Sequence, residues 1–477
     1  MKSFSIDTLG CKVNQYESQQ IRELLELLGL QQVETSRKPD LAVINTCCVT
    51  HTASGKSRQN IRKARKLCPN STIVVCGCLP SVKTGELCNL DETVLLVKDR
   101  HHLAPTLHQI VTGKTTAANP ESLRCRPHST IKSENLSKVK CKNELALSAA
   151  LKPLSSFKGQ TRAFLKVQDG CDAYCTYCII PAVRPVVRSK PIATALQEAQ
   201  ALVRDAHREI VVTGIFLGAY GQDTVRRKNW PNQQNDELAN LLDKLAKIPG
   251  LARIRLSSLE PADVTPHLLD VFSKHRNIMP HLHLSLQSGS NAILKKMCRQ
   301  YTADDFLDKV ELIKSRLDRP AITTDIIVGF PAEKDVDFEQ TLELAKNVGF
   351  AKMHVFAFSP RKGTAAAAMQ DKVDTTVIKQ RSKVLRELDA DLQRQFRQQF
   401  IGETATVLIE NGTGQPHGRA ERYFTVYLKN PAKSPKTSEL VTVRLIENSE
   451  NGVIGEVLPG AKSDVCPTYL CPVERSI

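Results

Sequence analysis

Three cysteines in the segment VQDGCDAYCTYCIIP, Cys171, Cys175 and Cys178, carry the strongest chemical signal in the chain. Their C-x-x-x-C-x-x-C spacing lets one loop hold three irons of a 4Fe–4S cluster while the fourth stays open to an outside ligand. An open iron can take the amino and carboxylate groups of S-adenosylmethionine (SAM) and deliver the electron that cleaves it. A structural zinc site needs four closed ligands, usually in C-x-x-C pairs. A ferredoxin needs a fourth cysteine for each cluster. Neither fits.

Three further cysteines follow apolar runs: Cys11 in TLGCKVNQYE, Cys47 closing LAVINTC and Cys78 closing IVVCGC. In an open parallel sheet the carboxyl ends of the strands share one edge, where ligands bind. Three thiols delivered there could meet at a second cluster. They could equally be small buried hydrophobes, as cysteines often are. The chain has 15 cysteines, and its opening MKSFSIDTLGC lacks the hydrophobic stretch of a secretory signal. Disulfides are therefore not expected, and metal or redox chemistry leads for several of these thiols. Cys68, Cys88, Cys141 and Cys298 sit in no pattern and read as plain buried or surface thiols.

The elements that must position these groups follow from hydrophobic periodicity. Over the first hundred residues, strand-like runs at Phe4–Ile6, Leu41–Ile44, Ile73–Cys76 and Val94–Val97 alternate with helical stretches at Glu17–Leu28 and Ser54–Leu67, which predicts a parallel sheet. Thr112–Phe157 is poor in aromatics and rich in Lys, Ser, Ala and Pro, the composition of a linker with little structure. Six strand–helix units then begin at Ala163–Val167, Ile210–Phe216, Arg253–Ser257, His281–Leu286, Ile322–Val328 and Lys352–Phe358, with helices such as Ala303–Ser315 and Asp335–Asn347 between them. Six units suit a partial barrel better than a closed eightfold one. Val373–Gln399 reads as a long polar helix. The runs ATVLIE, YFTVYLK and LVTVRLIE alternate at period two, predicting a small antiparallel OB-like β-unit.

There are 66 Lys and Arg against 50 Asp and Glu, a formal net charge of +16. Residues 111–190 hold 14 basic and 5 acidic groups, whereas residues 401–477 hold 8 and 9. A basic excess concentrated mid-chain suits a polyanionic partner, RNA above all, and its plain alternative is solubility charge. No apolar run approaches the ~18 residues that span a bilayer, so a cytoplasmic protein without a membrane partner is expected.

The cluster segment resembles a radical SAM signature, with Tyr177 in its aromatic place just before the third cysteine. That superfamily's fold is an incomplete (β/α)6 barrel. TLGCKVNQYE, INTCCVT and CGCLP are similar to the N-terminal domain of the methylthiotransferases, which binds an auxiliary 4Fe–4S cluster. This likeness implies Cys11, Cys47 and Cys78 as its ligands, with Cys48 turned elsewhere and Cys76 on a packed strand face. RSKP, TGIFLGAYGQD, RIRLSSLEP, LHLSLQSGSNAILKKMCRQYT, DIIVGFPAE and FAFSPRKGTAA extend the resemblance through the barrel and into a β-tail like the family's RNA-binding TRAM domain. Thr112–Phe157, Asp223–Gln234 and the residues after Gly460 match nothing in it. The implied layout is an N-terminal methylthiotransferase domain at 1–115, a linker at 116–157, a radical SAM domain at 158–400, a TRAM-like domain at 401–462 and a tail at 463–477.

TLGCKVNQYE and NTC-x-VT are most similar to the branch acting on N6-threonylcarbamoyladenosine at tRNA position 37. One departure is Pro185 after Arg184, where that branch reads Arg-Gly; proline fixes φ and removes a backbone donor. The resemblance implies methylthiolation of adenine C2, using two 4Fe–4S clusters and two molecules of SAM, one cleaved to a radical source and one donating the methyl group. It places Tyr177, Gly214, Glu260, Ser285, Gln287 and Asp325 near SAM, and implies an electron donor such as flavodoxin or ferredoxin. Each of these residues could also be ordinary barrel packing.

For the tRNA anticodon loop, Arg58, Arg62 and Arg65 fall on one helical face, with Ile61 and the Ala64/Leu67 side inward; a phosphate-binding face and a solvated one are both open. Arg184 and Arg188 beside the cluster loop come next, and Tyr423, Phe424 and Tyr427 are candidates for base stacking. The rival substrates are isopentenyladenosine in tRNA and a ribosomal-protein aspartate, which share all six cysteines. Rivals of another kind are a non-catalytic iron–sulfur RNA-binding or electron-transfer protein, and a radical SAM methylase or lyase that inserts no sulfur.

Overall fold

Leu41–Thr46 is buried at all six positions, the signature of an inner strand covered on both faces. The computed structural model describes residues 1–82, 87, 94–113, 151–226, 236–429, 431 and 434–458. It divides into two units, Met1–Ser156 with Arg361–Gly363, and Phe157–Pro360 with Thr364–Ile477.

The first unit runs β1 (Ser3–Thr8), α1 (Lys12–Leu27), β2 (Gln31–Gln32), β3 (Leu41–Thr46), α2 (His51–Leu67), β4 (Thr72–Gly77), β5 (Val94–Leu96) and α3 (Leu103–Thr112). The sheet is parallel in the order β2-β1-β3-β4-β5. Its register pairs Thr8 with Asn45 and Thr46 with Gly77, so β1, β3 and β4 end level with one another. Phe4, Ile21, Leu25, Leu41, Val43, Val74, Leu103 and Leu107 form the core. Helix α1 starts five residues before the apolar period suggests, because polar Asn14 and Glu17 are buried on its inner face. Most of the expected linker, 114–150, lies outside the described residues. Its end does not behave as a free linker: Glu23 accepts from the amides of Ser155 and Ser156, and Arg22 donates to Ser156 Oγ at 2.8 Å.

The second unit opens with β6 (Arg162–Lys166), β7 (Gln168–Asp169), α4 (Ile180–Val183), β8 (Arg188–Ser189), α5 (Ile192–Arg204), β9 (Glu209–Thr213), α6 (Glu237–Leu245), β10 (Arg253–Leu256) and β11 (Ser258–Leu259). It continues through α7 (Pro266–Lys274), β12 (His281–Leu284), α8 (Asn291–Lys296), α9 (Ala303–Arg316), β13 (Ala321–Val328), α10 (Asp335–Val348), β14 (Lys352–Ala357) and α11 (Thr375–Gln398). All six predicted barrel strands are present, in two parallel sheets ordered β10-β9-β6 and β11-β12-β13-β14, bridged at Ile254 and Ile278. Strands β6 and β14 are outer edges of these sheets, so the barrel is partial.

Beyond α11, β15 (Thr404–Asn411), β16 (His417–Arg419), β17 (Thr425–Leu428), β18 (Leu440–Ser449) and β19 (Gly452–Val457) close a small barrel over Val407, Ile409, Val426, Val443 and Val453. It is not wholly antiparallel, as the alternating runs suggested. The β17–β19 seam is parallel, since an odd number of strands cannot alternate direction around a closed ring.

Candidate metal centres

The cluster loop is tied at its base. Gly170 has φ +81°, and a Cβ there would lie 1.8 Å from the carbonyl oxygen of Val186, so only glycine fits before Cys171. The Cys171 amide donates to the Arg184 carbonyl at 2.9 Å, and Arg184 Nη1 to Asp169 Oδ1 at 2.6 Å. Pro185 is exposed and stands outside this bond, so its missing donor leaves the loop base intact. On the far side Thr176 is held by the carbonyls of Met297 and Lys296.

Cys171, Cys175 and Cys178 line one cavity of about 140 Å³. Burial pushes the Cys171 thiol up to about 12, with Cys178, Cys175 and Glu260 adding to the rise. Burial also raises Cys175, against Arg299, whose Nη1 donates to its Sγ at 3.2 Å. Burial alone would lower the Arg299 pKa, but Glu260 at 2.5 Å, Tyr301 and Tyr177 hold it well above its usual range. Crowded buried thiols of this kind are deprotonated by a coordinated metal. The cavity lining holds no fourth thiol and no imidazole. The donor set therefore fits a 4Fe–4S cluster with one iron left for an outside ligand.

Of the residues expected near SAM, Tyr177, Glu260 and Ser285 line this cavity. Gly214, Gln287 and Asp325 do not. Gly214 packs on Gln168, where a Cβ would meet that side chain at 2.9 Å. Gln287, at φ +68°, exchanges backbone bonds with Asp325 and Ile327. Asp325 pairs with His283 at 3.4 Å. Arg299, which sequence reasoning missed, touches Cys175, Tyr177 and Glu260. An arginine in MCRQYT carries no spacing signal that could have found it.

In the first unit the thiols leave from the shared strand edge. Gly10 sits at φ +107° before Cys11, and a Cβ there would lie 2.9 Å from Cys47 Cβ and 3.1 Å from its Sγ. At Gly77, at φ +90° before Cys78, a Cβ would lie closer still, 2.4 Å from Asn45 Oδ1 and from the Thr46 carbonyl oxygen. Asn14 clamps two strand ends by donating to the carbonyls of Leu9 and Thr46, while Ser57 bonds both backbone groups of Cys47. Burial raises the Cys47 thiol to about 11, with Cys78 and Cys11 contributing, so the three sulfurs lie within one electrostatic neighbourhood. Arg100 Nη2 donates to Cys78 Sγ at 3.4 Å. Three mutually crowding thiols beside a cation, over glycines without side chains, fit a second cluster.

Cys76 lies on the packed face, in the core. Cys48 departs from expectation. It is fully buried, and its pKa is raised first by a side-chain hydrogen bond with Cys78, so it turns toward that thiol rather than away. Cys68 is a buried thiol donating to the Thr35 carbonyl, and Cys298 is exposed. Cys88 and Cys141 lie outside the described residues.

The proposed RNA contacts divide. Arg62 is exposed on α2 and Arg58 half-buried, but Arg65 is spent on the carbonyls of Pro69 and Ser71. Leu67 is exposed rather than inward. Arg188 is exposed, whereas Arg184 is buried in the loop base. Tyr423 is committed to His281, Arg162 and Arg255, and Phe424 stacks on Phe400. Half-buried Tyr427 leans on His417 at 5.4 Å.

Two family models match the chain: an uncharacterized protein family, UPF0004, over residues 3–98, and the radical SAM superfamily over residues 165–345. Among similar proteins, the threonylcarbamoyladenosine tRNA methylthiotransferase MtaB of Chlamydia pneumoniae is 37% identical, over 96% of this chain and 98% of that protein. MtaB of Thermotoga maritima is 36% identical over 95% and 96%. The chain belongs to the MtaB-like radical SAM methylthiotransferase family. It is thus an enzyme family whose chemistry rests on an iron–sulfur cluster and SAM. The tRNA-2-methylthio-N(6)-dimethylallyladenosine synthase of Zymomonas mobilis is also similar, at 33% over 96% and 97%. Among solved structures, the radical SAM methyltransferase TsrM of Kitasatospora setae shares the fold, with a TM-score of 0.53 and 13% identity over 77% of this chain and 74% of that one. No helix among the described residues is long and apolar enough to cross a membrane.

Proposed function

We propose that this methylthiotransferase acts on C2 of N6-threonylcarbamoyladenosine at position 37 of tRNA, in the anticodon loop. The observation that carries it is a pair of three-thiol centres, one in a barrel loop and one on a sheet edge, in a chain whose full-length relatives are named for that nucleoside. Cys171, Cys175 and Cys178 would hold a cluster that would supply the electron for SAM cleavage, and Cys11, Cys47 and Cys78 would hold one that would supply the sulfur. Tyr177, Glu260 and Ser285 hold SAM over the first centre. Arg299 keeps that centre's charge balanced through Cys175 and Glu260. Exposed Arg62 and Arg188 meet phosphates. The reductant is a carrier such as flavodoxin or ferredoxin, and the protein works in the cytoplasm.

Mass spectrometry of tRNA nucleosides from cells lacking the protein, with and without complementation, tests this. Loss of 2-methylthio-N6-threonylcarbamoyladenosine with accumulation of the unthiolated nucleoside is expected. Unchanged tRNA would overturn it.

A further inference from the structure

Side chains from three separate barrel strands meet on one ring. Arg162 of β6 and Arg255 of β10 place their guanidinium carbons 5.4 and 5.1 Å from the Tyr423 ring centroid, and His281 of β12 stacks on it at 4.5 Å. Only the inner face of the barrel lets β6, β10 and β12 converge, so His281 points into the lumen. Thr323 of β13 contacts His281 Nε2 at 3.3 Å and His283 Nδ1 at 3.0 Å, which puts all three on that face. Alternation then carries Asp325, two residues past Thr323, and His354, paired with Asp325 in register, onto the same face.

The lumen is layered. At its closed end Arg253 and Arg255, almost fully buried, both pair with buried Glu209. At its open end Ser285, two residues beyond His283, lines the cluster cavity. Between these layers lie half-buried His283 and Asp325 and exposed His354, with ligand atoms all within 4.8 Å. Thr323 holds the Nδ1 side of His283, so Nε2 is aimed at Asp325, 3.4 Å away. Phe356, 44% exposed and two residues past His354, offers the same face an aromatic ring about 7 Å nearer the cluster end.

We propose that His283, Asp325 and His354 bind the polar N6 side chain of the substrate adenosine while Phe356 stacks the base, so that this lumen layer selects threonylcarbamoyl over an apolar N6 substituent. The assignment rests on the substrate reading above. The His354 imidazole donates an N–H to the threonyl carboxylate, His283 holds Asp325 in place through Nε2, and Asp325 accepts from the threonyl hydroxyl. A dimethylallyl group entering the same layer would dehydrate three polar groups and return no hydrogen bond. A site built to hydrogen-bond its substrate rejects the analogue that lacks those groups far more strongly than a hydrophobic pocket rejects an extra hydroxyl. Relatives named for the two nucleosides stand at 37% and 33% identity, and this lumen layer supplies a residue-level reason for the choice between them.

The test uses cluster-loaded enzyme with anticodon stem-loop RNAs carrying either modified adenosine at the target position. His354→Ala and Asp325→Asn should each raise KM for the threonylcarbamoyl RNA at least about tenfold, with kcat moving less, and shrink the preference over the dimethylallyl RNA. His354→Gln, which keeps a donor, should recover part of the loss. Iron content equal to wild type verifies folding. A wild-type preference untouched by both substitutions would overturn the assignment alone. So would tight stoichiometric binding of added Zn²⁺ that His354→Ala abolishes, which would make the layer a metal site. Wild-type enzyme that thiolates neither RNA would remove the substrate reading and this assignment with it.

Discussion

Cys171, Cys175 and Cys178 leave one loop within eight residues, whereas Cys11, Cys47 and Cys78 arrive from three strand ends spread over 68. The loop centre is specified locally: a glycine turn, an Arg184–Asp169 tie and two carbonyl anchors fix it. The sheet-edge centre exists only once β1, β3 and β4 are in register. Asn14, Asn45 and Ser57 then hold the strand ends together. The same donor set is therefore built once by chain-local geometry and once by tertiary structure, and the two should fail differently.

Removing a thiol from each centre gives the largest contrast. Cys171→Ala should cut iron from roughly eight to roughly four atoms per chain and abolish SAM cleavage altogether. Cys78→Ala should lose the same amount of iron and all methylthiolation while SAM cleavage persists. Cys48→Ala decides whether the buried neighbour of Cys78 is a ligand. Full iron and retained thiolation are expected. Iron loss equal to that of Cys78→Ala would instead make Cys48 part of the centre. Iron analysis and 5′-deoxyadenosine release measure both.

That asymmetry also decided what could be read from the sequence. The loop motif and the six barrel strands follow from spacing and apolar periodicity, which are local, and the strand bounds differ from the structure by only a few residues. The sheet-edge cysteines needed the family likeness, because spacing alone left them open. Arg65 and Arg184 have internal partners that could not be read, because a sequence shows charge but not the carbonyl or carboxylate that captures it. Asp325 was placed near SAM by the family likeness, and its neighbours His283 and His354 come from other strands that spacing does not connect to it. The parallel β17–β19 seam is invisible to alternation, which encodes faces and not neighbours.

The glycines before the cysteines sharpen the contrast at smaller scale. Gly170→Ala places a Cβ 1.8 Å from a backbone oxygen at positive φ, so the loop itself must shift. A loss of about 3 kcal/mol or more and of most of the loop cluster is expected. In Gly10→Ala the nearest atom is Cys47 Cβ at 2.9 Å, a far smaller overlap that a shift of a few tenths of an ångström relieves. About 1–2 kcal/mol and partial loss of the sheet-edge cluster are expected there. Thermal unfolding with iron analysis separates them. Equal damage at both sites would break the distinction between a backbone-locked loop and an adaptable sheet edge.

The smallest effect probes how far from its thiols the sheet-edge centre is controlled. Asp40 Oδ2 accepts from the backbone amides of Lys2 and Ser3, at 2.6 and 3.0 Å, and so pins the start of β1 beside β3. These backbone bonds, that to Lys2 foremost, hold its carboxylate below the usual 3.8. Because the folded value is depressed, the stabilisation is complete above pH 3.8 and is lost as pH falls through the folded value. The group is exposed, so solvent screening limits its worth to under about 1 kcal/mol. Asp40→Asn should therefore speed amide exchange in β1 several-fold at neutral pH, and the difference from wild type should close in acid below 3.8. The β6 amides, which lead into the loop centre, should not respond at any pH. If they did, the loop centre would share the first unit's register, and its independence from the sheet edge would be lost.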